Sequence, residues 1–392
     1  MLLERLVDDG ARRLGIDPVD LRRRNVLRAD ALPHCSATGQ VLDSGNFAEL
    51  LDRACDGIGY VALRRLQAAR RREGQLLGIG VALYVEPCGN GWETARVVVD
   101  RAGRAIVGTG AAAQGQGRET TFAQIASDAL GVDMAMVDVI AGDSSATSTG
   151  VGALASRSTA IGGSAVLRAA ADVIRLAKPI AARLLNCSGD EVNVAAGGLA
   201  PLGEPARVAP WSAIADAAGG MISAEATFGV SGETWASGCC IAMVCIDRDT
   251  GSLSIEKLVW ADDAGVVVNP RLAEGQLIGG MAQGIGQALL ERHVYDETGQ
   301  LLTGSLMDYA VPRATDVPDV TILSQPTPAK TNPLGAKGVG EAGCIGIPAA
   351  IANAAVDALA PLGVRHLDVP LNSEALWWAI QDATAGTGAG QQ

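Results

Sequence analysis

The chain of 392 residues predicts an α+β fold in which mixed and antiparallel sheets are layered with helices. Three observations carry that prediction. Strand-like segments come in hairpin pairs: Thr94–Asp100 with Arg104–Gly108 around Asp100-Arg101-Ala102-Gly103, and Cys239–Asp247 with Ser252–Asp262 around Arg248-Asp249-Thr250-Gly251. Helical periods fall between these pairs, which weighs against a purely parallel doubly wound sheet. Finally, 49 glycines beside 3% aromatic residues fit a backbone-dense protein built on loops and close approaches.

The elements follow in order. Met1 to about Asn25 reads as an amphipathic helix broken near Gly15, with Leu2, Leu3, Leu6, Val7 and Leu14 as its apolar stripe. Asp17 caps the second piece and Pro18 fills its first turn. A helix over Phe47–Arg72 ends on Arg70-Arg71-Arg72, a run that reads as a solvated helix end. Strands are predicted at Gly78–Glu86, at the two hairpins, at Val137–Ala141 and at Ala224–Phe228. Helices are predicted at Glu119–Leu130, Thr159–Leu185, Ala273–Leu290 and Pro348–Leu359, with a Ser/Thr/Gly loop over 142–157 and a frayed tail after Asp382. The segments 1–75, 76–230, 231–375 and 376–392 are the expected units: a helical N-terminal part, two mixed subdomains and the tail.

A net charge of −12 opposes nucleic acid or an anionic membrane as partner. None of the eight cysteines forms a CxxC pair, and the three histidines lack metal-ligand spacing. No run approaches the roughly 20 apolar residues that span a bilayer, and the N-terminus, with Glu4, Asp8 and Asp9, does not read as a signal peptide. A soluble, cytoplasmic chain with no membrane span is the expectation.

Four glycine-rich stretches hold the chemistry. Gly110 to Gly117 places Gln114, Gly115, Gln116 and Gly117 before a helix, where backbone N–H groups attract acceptors and the amides suit a heterocycle. Gly142-Asp143 through Thr147, Ser148 and Gly150 to Ser156-Arg157-Ser158-Thr159 delivers hydroxyls and a guanidinium to a helix start; it reads as a phosphate seat or as ordinary capping. Along Asn269–Gln287 five glycines recur, each costing about 1 kcal/mol against alanine, which helix packing or a ligand must offset. Gly335-Ala-Lys337-Gly338-Val339-Gly340-Glu341-Ala342-Gly343 spells GxGxxG, but Pro326, Pro328 and Pro333 precede it instead of a strand, which speaks against a dinucleotide site. A glycine-walled carboxylate can instead lie directly against a bulky ligand. Burial there would raise its pKa and the helix N-terminus lower it, holding a general base near neutral pH.

Together these stretches resemble the molybdenum-binding part of the xanthine dehydrogenase / aldehyde oxidase family of molybdenum hydroxylases. The similar runs are GAAAQGQGRETTFAQIASDALGV (110–132), GVGALASRSTAIGGSAV (150–166), GVVVNPRLAEGQLIGGMAQGIGQAL (265–289), LMDYAVPRATDVPDV (306–320) and NPLGAKGVGEAGCIGIPAAIANAAVDAL (332–359). They occur in order across nearly the whole chain, and GIDPVDLRRRN (15–25) is similar to the family's interdomain helix.

The resemblance implies the fold of the family's second molybdenum-cofactor-binding domain, with 76–230 and 231–375 as its cofactor-binding subdomains. It implies that Gln114, Gly115, Gln116 and Gly117 contact molybdopterin and its metal, which the pterin dithiolene holds without a protein ligand. Ser156, Arg157, Ser158 and Thr159 would hold the pyrophosphate of the cofactor in its cytosine dinucleotide form. Gln276, Gly338, Val339 and Gly340 would add contacts, and Glu341 would be the catalytic base. Tyr84, Glu86, Asn90 and Trp92 align with a substrate-funnel stretch, where Trp92 could stack on a ring or simply pack. The implied reaction hydroxylates an electron-poor carbon of an N-heteroaromatic substrate with oxygen from water. Electrons would leave through iron–sulfur clusters to FAD on partner subunits. The family's first half, with its own cofactor loop, finds no match, so a second molybdenum-subunit chain is expected to supply it. Oxidation of an aldehyde or carbon monoxide, or a non-catalytic assembly role, are the alternatives.

Overall fold

The computed structural model describes residues 1–147 and 149–388, with side chains up to residue 385; Ser148 and the last four residues of the predicted tail, 389–392, lie outside the described residues. Local chemistry sets the first elements. Helix α1 (Leu2–Leu14) closes on Gly15, whose left-handed backbone (φ 64°) satisfies the terminal carbonyls. Asp17 caps α2 (Pro18–Asn25) by accepting from the Val19 N–H, as predicted. A small hairpin, β1 (His34–Cys35) and β2 (Val41–Leu42), leads to α3 (Phe47–Ile58) and α4 (Tyr60–Arg72). The sequence predicts one helix there; Gly59 at φ 68° breaks it, because a left-handed residue cannot continue the hydrogen-bond ladder.

Strands β3 (Leu76–Cys88), β4 (Gly91–Asp100) and β5 (Ala105–Thr109) precede α5 (Arg118–Leu130) and β6 (Val137–Ala141). The helix predicted from Thr159 opens as a π-helical turn over Ser158–Gly163 and continues as α6 (Ser164–Leu185). The short β7 (Val192–Ala195), β8 (Gly198–Pro201), β9 (Ala209–Pro210) and α7 (Trp211–Ala217) have too little periodicity to be predicted. Then come β10 (Met221–Val230), the hairpin β11 (Thr234–Ile246) and β12 (Leu253–Asp263), α8 (Pro270–Leu289), β13 (Thr321–Ser324), α9 (Ala342–Leu359) and α10 (Ser373–Gly388). Helix α10 occupies residues expected to fray.

The strands pair as β1-β2, β10-β4-β5-β6, β13-β12-β11-β3 and β7-β8-β9. Among them only β5 with β6 and β12 with β13 run parallel, so the mixed α+β prediction holds. Strand β3, the start of the predicted second unit, pairs along its length with β11 of the third. The smaller of the two large sheets carries α5 and α6 over a core of Val97, Val107, Phe122 and Ile161.

The other is covered on both faces, and β11 shows why. Cys240, Ala242 and Val244 point toward α9, while Cys239, Ile241 and Met243 point toward α3, the period of two that a doubly covered strand requires. Gly78 and Gly80 let α9 ride directly on β3, since a Cβ at Gly80 would lie 2.1 Å from the Ala350 carbonyl oxygen. Helix α8 then crosses α9 backbone to backbone. A Cβ at Gly343 would lie 2.1 Å from the Gly280 carbonyl carbon, and one at Gly284 2.6 Å from the Gly343 carbonyl oxygen. Packing therefore offsets the glycines at 280 and 284, whereas Gly275 and Gly279 have nothing within 4 Å.

Four predictions need correction. Helix α9 begins at Ala342, ahead of Pro348, because the crossing with α8 outweighs the carbonyl that proline leaves unpaired. Over 342–362 it is long and apolar enough by composition to cross a membrane (mean hydropathy 1.5), although the sequence showed no such run; 72% of that stretch is buried as the central helix. The basic helix end is only partly given to solvent: Arg72 is exposed, but Arg70 pairs with Glu256 at 2.7 Å and Arg71 with Asp357 at 3.1 Å. Lastly, α1 is inverted. Leu2 and Leu3 are 73% and 75% exposed while Asp8 is buried, because buried Arg22 draws Asp8 (2.7 Å) and Glu4 (2.8 Å) inward and donates to the Val81 carbonyl.

Candidate functional site

Three of the glycine-rich loops and helix α8 meet at Glu341. They enclose a cavity of about 460 Å³ lined by Gln114 and Gln116, by Ser156, Ser158 and Thr159, by Gln276 and Gln283, and by Lys337, Gly338, Val339, Gly340 and Glu341. The first loop is tied to the second, since the Gln114 amide donates to the Ala153 carbonyl at 3.1 Å and its N–H donates to the Gln116 side chain at 2.7 Å. Gly117, at φ 72°, starts α5 where a Cβ would strike Leu272 of α8. Asn269 caps α8 and donates to Gln124 of α5 at 3.1 Å, fixing the two helices together.

The second loop passes through left-handed backbone at Ala155 (φ 47°) and Ser156 (φ 50°), a conformation that costs non-glycine residues about 1–3 kcal/mol each. Contacts with the fourth loop hold it there. The Ser156 hydroxyl donates to Glu341 Oε2 at 2.9 Å and accepts from the Glu341 N–H at 3.2 Å. Gly338 leaves room for this approach: its Cβ would stand 2.4 Å from Ser156 Cβ, and its N–H donates to Cys88 Sγ at 3.2 Å.

Both cations near the cavity are already engaged. The Arg157 guanidinium is buried against Glu93 (3.1 Å) and donates to the carbonyls of Asn90, Gly152 and Trp92. Lys337 Nζ lies 2.7 Å from Asp263 Oδ2, both side chains fully buried, and donates to Thr327. The burial expected at Glu341 falls instead on Glu86 of β3, while Glu341 itself is exposed to the cavity. Burial pushes the Glu86 carboxyl up to about 7, and the Glu341 carboxylate adds to the rise. Behind it, burial lifts Asp262 to about 8 even though the Tyr84 hydroxyl donates to it at 3.1 Å.

Of the residues singled out from the sequence, Gln114, Gln116, Ser156, Ser158, Thr159, Gln276, Gly338, Val339, Gly340 and Glu341 come together on one cavity. Gly115 and Gly117 shape the first loop from outside the lining, both at positive φ. Arg157 is corrected from a phosphate ligand to an internal brace, because the Glu93 carboxylate and three backbone carbonyls already occupy its donors. Tyr84 does not face the cavity: it is packed against Trp260 in the core with its hydroxyl on Asp262. Asn90 lines a separate depression of about 1000 Å³ with Asp43 and Glu233, and Trp92 stands half-exposed at the start of β4. Gln283 received no role from the sequence, although its place one helical face from Gln276 could have signalled it.

The lining offers amides, hydroxyls and backbone groups, and its Lys337 is neutralised. That set fits a heterocycle with several N–H and C=O groups, which is the chemistry of a pterin. The comparisons agree. Residues 53–318 match the molybdopterin cofactor-binding domain family. The chain is 33% identical over 395 residues to the large subunit of nicotine 6-hydroxylase from Paenarthrobacter nicotinovorans, covering 95% of this chain and 48% of that one. It is 31% identical over 404 residues to the carbon monoxide dehydrogenase large chain of Hydrogenophaga pseudoflava, covering 97% and 50%. Its fold matches quinoline 2-oxidoreductase from Pseudomonas putida 86 with a TM-score of 0.90 at 36% identity, over 97% of this chain and 51% of that one.

Fold and site thus define a molybdopterin-binding chain. It belongs to the molybdopterin cofactor-binding domain family, as part of the large subunit of the molybdenum hydroxylases. The chain spans about half the length of the curated relatives it matches.

Proposed function

We propose that this chain carries the catalytic base and much of the cofactor seat of a molybdenum hydroxylase acting on an N-heteroaromatic substrate. The observation that carries the reading is the convergence of the loops on Glu341. Gln114, Gln116 and Gln276 would hold the pterin by their amides, and Ser158 and Thr159, at the start of the π-helical turn, would hold the phosphates of a cytosine dinucleotide form. When bound, the molybdenum group supplies oxygen transfer to carbon and takes up the electron pair. Glu341 has one oxygen oriented by Ser156 and faces the cavity, so it is placed to accept the proton released in that exchange.

The names of the nicotine- and quinoline-acting relatives support the substrate class, and the carbon monoxide dehydrogenase relatives support a second reading on the same site. A complementary half of the large subunit, an iron–sulfur subunit and a flavin subunit would complete a cytoplasmic assembly. The exposed Leu306 (84%) and Met307 (93%), with the inverted α1, offer apolar surface for such partners.

The test is Glu341→Gln in the purified complex. We expect turnover to fall by about 10²–10⁴-fold while molybdenum and pterin content stay unchanged. Undiminished turnover refutes the base. A screen of pyridines, quinolines, aldehydes and carbon monoxide then separates the two substrate readings.

A further inference from the structure

Glu86 has a property that its place in a substrate funnel does not explain. It is 3% exposed, and neither carboxyl oxygen has a hydrogen-bond partner among the described residues. A lone carboxylate in such a place is costly unless it stays protonated. The groups around it supply no cation. Tyr84 and Cys88 flank it on the same face of β3. The Cys88 sulfur takes the Gly338 N–H at 3.2 Å and Gly338 abuts Ser156, so Glu86 lies behind the Ser156–Glu341 contact, with Asp262 on β12 and Cys344 at the start of α9 as its other titratable neighbours. Lys337 is held by Asp263, and Arg157 by Glu93. The Ser156 hydroxyl has one donor and two acceptor positions. Its contacts to Glu341 use the donor and one acceptor, leaving the second acceptor for a neutral Glu86.

We propose that Glu86 and Glu341 form one carboxyl pair across Ser156 that holds a single proton on Glu86, leaving Glu341 as the open proton acceptor. The inference rests on Glu341 facing the reaction, but the pairing stands apart from catalysis and can be read without it. A proton on Glu86 keeps a second negative charge away from Glu341, and its loss at higher pH places two like charges side by side. Glu86 is thus a positioning residue that acts through its neighbour.

The test is an infrared titration of the full chain carrying isotope-labelled glutamate, following the protonated carboxyl band from acid to alkaline pH. The wild type should lose a buried carboxyl band near pH 7. In Glu86→Gln that step should be absent. In Glu341→Gln it should move to lower pH, because the neighbouring charge is gone. A Glu86→Gln titration identical to wild type, or a step unmoved in Glu341→Gln, overturns the pairing. A pair confirmed in the infrared but with full turnover in Glu341→Gln would sink the catalytic reading alone.

Discussion

The two loops that meet over Glu341 are anchored by different cations in different ways. Arg157 spreads its donors over the Glu93 carboxylate and the carbonyls of residues 90, 92 and 152, so the end of the second loop is tied to the start of β4. Lys337 gives its ammonium to a single buried carboxylate, Asp263, and to Thr327. The fourth loop is otherwise held through its main chain, by the Lys337 N–H on Ala264, the Gly338 N–H on Cys88 and the Glu341 N–H on Ser156. The second loop carries two non-glycine residues at positive φ; the fourth, held through its main chain, needs Gly338 to fold around Ser156. One side of the site is braced by a guanidinium, and the other by its own main chain.

That contrast can be broken experimentally. Arg157→Met should have the largest effect. It leaves Glu93 charged and buried and three carbonyls unpaired, so chemical denaturation should show a loss at the upper end of about 3–5 kcal/mol. Lys337→Met strands only Asp263 and should fall at the lower end of that same range, about 3 kcal/mol. Equal losses, or a larger one at Lys337, would show that the two loops are braced alike. The smallest effect belongs to the cradle itself. Gly275→Ala in α8 meets no atom within 4 Å and should raise stability by up to about 1 kcal/mol, yet hinder whatever lies against that face. Thermal unfolding together with cofactor content reads both halves of this prediction; a variant that binds cofactor fully would move the contact surface elsewhere.

The cradle was legible because its chemistry is local. Runs of glycine, glutamine and hydroxyl residues sit beside helix starts, and their order along the chain resembled a known family. What a side chain faces was not legible. Arg157 stands among hydroxyls in sequence but turns toward Glu93, which is distant in sequence and arrives only when β4 forms. The apolar period of α1 named its stripe correctly but could not say that Arg22 would pull the polar face inward. In the same way, a glycine-walled glutamate suggested burial at Glu341, whereas the sheet buries Glu86 behind it. Gly59 was treated as one residue of a long helix, because periodicity does not register a left-handed residue.

The crossing of α8 and α9 has a mechanical consequence. With Gly280 and Gly343 in backbone contact, neither helix can slide along the other without a collision. Gln276 lies on one helix and Glu341 caps the other, so these two side chains of the cavity travel as a single lever. Glu341 therefore cannot be re-aimed alone. A change of aim has to come from the opposite wall, whose loops lie outside the crossing.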